Sequence, residues 1–163
     1  MSVLIRDWSG VSIKLGQATK RLFAGTVFIT YSLFLLYWMF FAFSRTKGEE
    51  FRYNVTPFST IKNYFTYYDH FPVHIWIINI AGNIGVFIPF GIVLPILFPR
   101  LSNFFLFVLA FVIGITALEL LQLFSMLGSF DVDDIILNTI GAIVGFILLQ
   151  VMRFRKRRRK KRR

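Results

Sequence analysis

Four long apolar runs restrict the fold of this sequence of 163 residues more than any other feature. They lie at about residues 22–43, 73–98, 103–127 and 134–152. A helix that crosses a bilayer needs about 20 mostly apolar residues, and each run supplies that length. Short connections separate the last three runs, which favours antiparallel neighbours. The sequence therefore predicts an all-α, integral membrane bundle of four transmembrane helices, formed by residues 1–152.

A further helix, which does not span the membrane, is predicted in the connection between the first two runs. It starts at Ser59 and places Ile61, Tyr64, Phe65 and Tyr68 on one side. Such a face is typical of a helix that lies in the headgroup plane of a membrane. The alternative is that the same face packs against the bundle.

The basic residues predict an orientation. Ten of the 19 Lys and Arg residues fall in the segment 153–163, and the net charge is +11. Placing both termini in the cytoplasm puts 15 basic residues inside and 4 outside, in agreement with the positive-inside rule. We interpret residues 153–163 as a cytoplasmic polybasic tail that holds anionic lipid headgroups. We do not predict binding of nucleic acid.

Polar side chains interrupt three of the four runs. With a rise of about 1.5 Å per residue, this orientation places all of them in the outer half of the bilayer. Within each run they also share one helical face. We therefore predict a polar pocket that faces the outer leaflet, to which these residues contribute: Asn79 and Asn83, Glu119 and Gln122, and Asp134 and Asn138.

Small residues lie on the same faces. Gly141 and Gly145 continue the stripe of the fourth run, and spacing of this kind lets two membrane helices approach closely. We expect Gly82 and Gly85 to play the same part in the second run.

Glu119 and Gln122 form the strongest candidate site. A carboxyl group inside a membrane segment costs about 2.5–3.5 kcal/mol on insertion scales and marks a functional site by default. The functional interpretation is a group presented to a ligand or a proton. The structural alternative is a hydrogen bond between helices, worth about 0.6 kcal/mol on average.

Three acidic residues, Asp131, Asp133 and Asp134, precede the fourth run. One of them is explained as a helix N-cap, where negative charge is stabilised. Three together call for a cation, which could be Arg52 from the first loop, a divalent metal or a charged ligand group. We assign Arg52 and the three aspartates to the pocket.

Metal and cofactor sites are not predicted. The chain has no Cys, which excludes disulfides, thiolate metal sites and Cys nucleophiles. His70 and His74, with Asp69 nearby, could bind zinc, but no matched set of ligands accompanies them.

Four ordered motifs resemble those of the VanZ-like family, named for a protein associated with teicoplanin resistance. The resemblance runs from about residue 52 to 145 and implies a small membrane protein of the bacterial cell envelope. Many members carry an Arg just before the aspartates, where this chain has Gly128-Ser129-Phe130. The matching motifs are Arg52-x-Asn54-x-x-Pro57-Phe58, Asn83-x-x-x-Phe87-x-Pro89-x-Gly91, Glu119-Leu120-Leu121-Gln122 and Asp131-x-Asp133-Asp134-Ile135-x-x-Asn138-x-x-Gly141.

Three functions remain open from the sequence. The first is a non-enzymatic protein that binds an amphiphilic envelope ligand, such as a lipoglycopeptide or a lipid-linked wall precursor, and contributes to teicoplanin-type resistance. The second is an enzyme that modifies a lipid-linked envelope substrate, with Glu119, Asp133 and Asp134 as its catalytic groups. The third is a small transporter, for which four spans leave little room unless the chain forms a homo-oligomer.

Overall fold

The computed structural model describes residues 3–41, 48–67, 69–70 and 72–162. For residues 3–18 and 20 it describes the backbone alone. Six α-helices and two short strands are described in these ranges. In chain order the elements are α1 (Val3–Phe41), β1 (Tyr53–Asn54), α2 (Ser59–Thr66), α3 (Val73–Ile77), a π-helical segment (Ile78–Gly82), α4 (Asn83–Leu97), a short 3-10 helix (Pro99–Ser102), α5 (Phe104–Ser125), β2 (Phe130–Asp131) and α6 (Val132–Lys161).

The predicted bundle of four transmembrane helices is confirmed. Among the described residues, four segments are long and apolar enough to cross a membrane: Arg21–Phe41, Val73–Leu97, Phe104–Ser125 and Val132–Lys161. The ends of the predicted first run, residues 42 and 43, lie outside the described residues. The helix predicted to start at Ser59 is also present as α2, although Tyr68, the last residue of its predicted face, is outside the described ranges.

The second span combines α3, the π-helical segment and α4. Pro89 and Pro95 both lie inside α4, where neither can donate a backbone hydrogen bond. The departure from α-helical bonding lies earlier, in the π-helical segment, and was not predicted. Single π-helical turns of this kind are frequent at functional sites.

Glycines bring the backbones of α4 and α6 into direct contact. At three positions a Cβ atom would overlap a carbonyl oxygen of the other helix, so only glycine fits. The pairs are Gly91 with the oxygen of Ala142, Gly141 with that of Ile84, and Gly145 with that of Ile88. The glycine hydrogens therefore point at these oxygens, an arrangement that recurs at helix–helix interfaces. We call this contact the glycine seam.

The expected close approach at Gly141 and Gly145 is confirmed, but the expectation for the second span was wrong in position. A Cβ on Gly85 would meet nothing within 4 Å, and one on Gly82 would make only an ordinary contact at 3.7 Å. Gly91 takes their place, because it lies six and nine residues further along the second span, where the two helices meet.

The first loop is fixed to the start of α6. Strands β1 and β2 pair in parallel, with Tyr53 opposite Phe130 and Asn54 opposite Asp131. The backbone N–H of Phe130 donates to the carbonyl of Arg52 at 3.0 Å. This pairing places α2 beside the first turn of α6.

Helix α6 continues through most of the basic tail, as far as Lys161. At the start of the tail, Arg153 donates to the hydroxyl of Ser102 at 3.1 Å and to the carbonyl of Pro95 at 3.2 Å. The residue four places after Pro95 is Pro99, which has no N–H to offer that carbonyl. Arg153 therefore satisfies a carbonyl that the helix itself leaves unpaired.

Candidate functional site

A polar cavity of about 340 Å³ lies between α1, the second span, α5 and α6, at the end of the bundle where α6 begins. Its volume falls in the range of small-molecule sites. The sequence prediction named nine site residues, and six of them line this cavity: Asn79, Asn83, Glu119, Gln122, Asp134 and Asn138. The remaining three, Arg52, Asp131 and Asp133, do not.

A hydrogen bond joins the second span to α6 across the cavity. The amide of Asn83 donates to Oδ1 of Asp134 at 2.6 Å. Asn79, one turn earlier, lies in the π-helical segment and donates to the carbonyl of Ile75 at 2.8 Å. The irregular backbone there is thus stabilised by a cavity residue, which couples the shape of the second span to the site.

Helix α5 contributes Glu119 and Gln122, one turn apart. Both are buried, with 2% and 6% of their surface exposed. The amide of Gln122 donates to the carbonyl of Met39 at 3.2 Å and so ties α5 to the end of α1. Gln122 therefore has a structural contact as well as a place in the cavity wall.

Asn138 of α6 contributes an unsatisfied acceptor. The residue is 2% exposed, and its Oδ1 atom is buried without a hydrogen-bond partner among the described residues. A buried acceptor in this state costs about 1–3 kcal/mol, so it favours any molecule that brings a donor into the cavity.

The electrostatic character of the cavity is acidic. Glu119 and Asp134 supply two carboxyl groups, and the part of the lining that the structure describes contains no Lys, Arg or His. The other polar side chains are amides and the hydroxyl of Ser129. The cavity is therefore suited to hydrogen-bond donors and cations, and poorly suited to anions.

Asp131 and Asp133 hold the first loop instead. Asp131 caps α6 through the N–H of Asp133 at 2.8 Å and also accepts from Asn54 at 3.1 Å and from Thr60 at 2.7 Å. Asp133 is 0% exposed. Its carboxylate accepts from the backbone N–H groups of Phe58 at 2.5 Å and Ile61 at 3.0 Å.

Those contacts replace the cation that we expected beside the aspartates. The Asp133 carboxylate accepts from N–H groups at the start of α2. The first N–H groups of a helix have no partner within the helix and carry partial positive charge, so they bind anions. The side chain of Arg52 is exposed, and no ion pair joins it to the aspartates within the described ranges. The interpretation of Arg52 as their bidentate partner is therefore not supported by the geometry.

Tyr64 of α2 lies near the polar cavity, outside the spanning segments. Burial raises the pKa of its phenol, and the negative charges of Asp134 and Asp131 raise it further. The phenol is therefore neutral at physiological pH and remains a hydrogen-bonding group beside the cavity.

Sequence reasoning missed the part of the cavity wall that α1 supplies. Leu35, Trp38 and Met39 line it, together with Ser129 from the connection before α6. Apolar residues on the first run carry no signal that separates a cavity wall from a lipid-facing surface.

The possible zinc site is not assembled. His70 contacts Asp69, with 2.9 Å between Nδ1 and Oδ1, and both side chains are largely exposed. Within the described ranges, no group of three or more His, Asp or Glu side chains is placed to hold a metal ion.

Comparisons with known proteins agree with the motifs. A family model described as VanZ/LLP1 matches residues 28–153, beyond both ends of the motif region. The chain is 30% identical over 95 residues to Protein VanZ of Enterococcus faecium, a match that covers 58% of this chain. It spans about half, 50%, of the length of that curated relative. No solved structure matches. With three quarters of its length inside the family match, the chain belongs to the VanZ/LLP1 family.

Proposed function

We propose that this protein binds an amphiphilic envelope ligand in the polar cavity and so contributes to resistance to glycopeptide antibiotics of the teicoplanin type. One observation carries the proposal: six polar side chains from three different spans line one cavity. Placing carboxyl and amide groups inside a membrane protein is costly, and such groups mark ligand or ion sites. Several of them also make structural contacts, but the buried Oδ1 atom of Asn138 has no partner among the described residues, which supports a ligand.

The proposed location is the bacterial cell membrane, with both termini in the cytoplasm. The excess of basic residues in the tail supports this orientation, since Lys and Arg are retained on the cytoplasmic side. The polar cavity, at the opposite end of α6 from the tail, then opens toward the outer leaflet. An antibiotic that acts outside the cell meets the membrane on that side.

The helical tail is proposed to bind anionic headgroups of the inner leaflet. Each basic residue near such a surface contributes about 1 kcal/mol. The contacts of Arg153 with Pro95 and Ser102 hold the start of the tail in place. This anchoring supports the orientation and has no direct part in ligand binding.

Resistance would follow from ligand binding in either of two forms. The cavity could hold the lipoglycopeptide itself, which has a polar core and a lipid tail, or a wall precursor that the drug recognises. In both forms the polar groups of the ligand meet Glu119, Gln122 and Asp134. Loss of the carboxyl at Glu119 should therefore remove protection.

The test is Glu119→Gln, which keeps the size of the side chain and removes the acid. Glu50→Gln is the matched control, because Glu50 is exposed in the first loop. Both variants and the unmodified chain are expressed in a teicoplanin-susceptible host, with membrane levels measured. We expect the protection given by the chain to be lost with Glu119→Gln and kept with Glu50→Gln. Equal protection by both variants would reject the proposal.

Mass spectrometry of wall precursors and envelope lipids separates binding from catalysis. A binding protein leaves the set of molecular species unchanged, while an enzyme adds or removes one. A new species that depends on Glu119 would replace our proposal with the enzymatic alternative.

A further inference from the structure

A second cavity, of about 380 Å³, lies between α1, α4 and α5. We call it the apolar cleft. Its wall consists almost entirely of Phe, Leu and Ile side chains, together with Ser32, Ala110 and Gly114. It lies between three of the elements that also line the polar cavity, but closer to the opposite end of the bundle. On α4 it extends from Phe87 to Phe98, a length of about 16 Å.

The apolar cleft and the polar cavity adjoin. Leu35 of α1 and Phe87 of α4 line both of them. These two side chains are buried, at 6% and 4% exposure, so the boundary lies inside the bundle rather than at its surface. A single molecule with a polar head and an apolar chain therefore meets matching surroundings along its whole length.

The polar cavity restricts the head of that molecule. Its carboxyl groups and the Oδ1 atom of Asn138 accept hydrogen bonds, and among the described residues no basic side chain lines it. A phosphate would meet acceptors and carboxyl groups, which repel it or leave it unpaired. An amine or a hydroxyl-rich group supplies a donor for the unpaired Oδ1 atom of Asn138.

The apolar cleft restricts the tail. Its wall offers almost no partner for water, so an aqueous filling is unfavourable and a hydrocarbon chain is the filling that matches it. The hydroxyl of Ser32 is the exception in the wall. Its Oγ atom is buried and has no hydrogen-bond partner within the described part of the chain. It can donate to the ester or amide carbonyl that begins an acyl chain.

We propose that the two cavities form one site for an acylated amphiphile with an amine- or hydroxyl-bearing head, whose acyl chain lies in the apolar cleft. This inference rests on the proposed function and refines it. It places the tail inside the bundle rather than in the bulk bilayer. It also selects amino or sugar heads over phosphate heads.

Gly114 gives a precise way to fill the cleft. It lines the cleft, and a Cβ atom there would meet nothing within 4 Å, so a side chain at position 114 can start into the cleft without overlap at its first carbon. Gly85→Leu is the matched control. Its Cβ also meets nothing within 4 Å, and Gly85 lines neither cavity. Both changes replace a helical glycine and raise helix propensity equally.

The experiment uses the full chain in lipid nanodiscs and three photoreactive probes with the same long alkyl chain. One is an alkylamine, one an alkyl glucoside and one an alkyl phosphate, each with the reactive group on the chain. Crosslinked residues are identified by mass spectrometry. We expect the amine and the glucoside to label cleft residues such as Phe111 and Leu118, and the phosphate to label them much less.

Gly114→Leu should remove most of this labelling, since its side chain occupies space in the cleft that the alkyl chain needs. Gly114→Ala should reduce it less, and Gly85→Leu should leave it unchanged. Equal labelling by all three probes, or labelling of lipid-facing residues only, would overturn the inference. So would labelling of the cleft that Gly114→Leu does not change.

The outcome also separates this inference from the proposed function. If Glu119→Gln removes drug protection while Gly114→Leu changes neither protection nor labelling, the polar cavity acts without the cleft and only the further inference fails. If Glu119→Gln leaves protection intact while the cleft still captures the amine probe, the proposed function fails and the lipid site remains.

Discussion

The two sides of α4 differ in how they meet their neighbours. Toward α6 the glycine seam brings backbone atoms into contact and leaves no space for a methyl group. Toward α1 and α5 the helices leave cavities of about 340 and 380 Å³. The difference indicates a division of labour, in which the α4–α6 pair is the frame and the other side accommodates a ligand.

The same division separates two neighbouring carboxyl groups. Asp133 is completely buried and holds the start of α2, whereas Asp134 lines the polar cavity and contacts Asn83. They differ by one position, which turns their side chains by about 100° around the helix. The acidic cluster therefore contains two residues of the structural frame, Asp131 and Asp133, which hold the first loop, and one residue of the site, Asp134.

The largest effect is expected from Gly91→Ala, which tests the frame. A Cβ at this position would overlap the carbonyl oxygen of Ala142 and lie 2.6 Å from the nitrogen of Phe146. Both neighbours are backbone atoms, so α4 and α6 must separate, at a cost of about 3 kcal/mol. The measurement is denaturant unfolding in detergent micelles, monitored by the loss of the helical circular-dichroism signal.

Gly85→Ala is the control for this change, since it lies on the same helix with open space around it. We expect it to be neutral or slightly stabilising, because Ala favours the helix by about 0.8–1.0 kcal/mol. Equal stability of the two variants would show that the glycine seam does not frame the bundle.

These positions show what the sequence could predict. The four spans follow from their length and hydropathy, and the approach at Gly141 and Gly145 follows from their spacing on one face. The six cavity residues could be grouped because depth and helical face both follow from helix geometry. The glycine of the second span that takes part in the glycine seam could not be predicted. Gly82, Gly85 and Gly91 all fit such a contact, and only the crossing point of the two helices decides between them.

Long-range contacts of the first loop were beyond sequence reasoning. Strands of two residues have no periodicity, so the pairing of Asn54 with Asp131 leaves no pattern. The role of Asp133 depends on the backbone N–H groups of Phe58 and Ile61. Backbone N–H groups occur at almost every position of any chain, so they leave no signal in the sequence. A search for a charged partner therefore pointed to Arg52, although the partner is the backbone of α2.

Asp133→Asn is expected to have the second largest effect. The two N–H groups reach different oxygens of Asp133, and asparagine keeps only one of them, so its N–H₂ group would face the other donor. Losing one charge-assisted hydrogen bond in a buried site costs about 2 kcal/mol. Asp69→Asn is the control, because Asp69 is exposed. Unfolding in micelles measures both, and a loss no greater than that of the control would remove Asp133 from the frame.

Asp134→Asn sharpens the contrast with Asp133. Asparagine keeps an oxygen that can accept from Asn83, so we expect stability to stay nearly unchanged while drug protection falls. A stability loss equal to that of Asp133→Asn would mean that both aspartates belong to the frame.

Tyr31→Phe tests the looser side of α4. The Tyr31 hydroxyl donates to the carbonyl of Val86 at 2.8 Å and links α1 to α4. Hydrogen bonds between membrane helices contribute about 0.6 kcal/mol on average, so we expect a loss of that size. Tyr37→Phe on the exposed face of α1 is the control. A loss as large as that of Gly91→Ala would place α1 in the frame as well.

The smallest expected effect is on the pH dependence of unfolding stability, through the phenol of Tyr64. This group reports whether α2 packs beside the polar cavity. Its phenol has a raised pKa in the folded protein, from burial first and then from Asp134 and Asp131. The unfolded chain therefore loses this proton at a lower pH than the folded chain. The stability associated with the neutral phenol is fully present below about pH 10, the ordinary value for tyrosine, and is lost as the pH rises through the raised value.

Tyr64→Phe should thus lower the dependence of unfolding stability on pH above about pH 10 and leave stability at neutral pH nearly unchanged. Ultraviolet titration of tyrosinate compares the same variant with the parent chain, and the difference isolates Tyr64. Asp134→Asn should move that titration toward lower pH, because it removes the larger of the two charge effects. If Asp134→Asn leaves the titration of Tyr64 in place, then α2 and the cavity carboxyl do not interact, and the loop belongs to the frame alone.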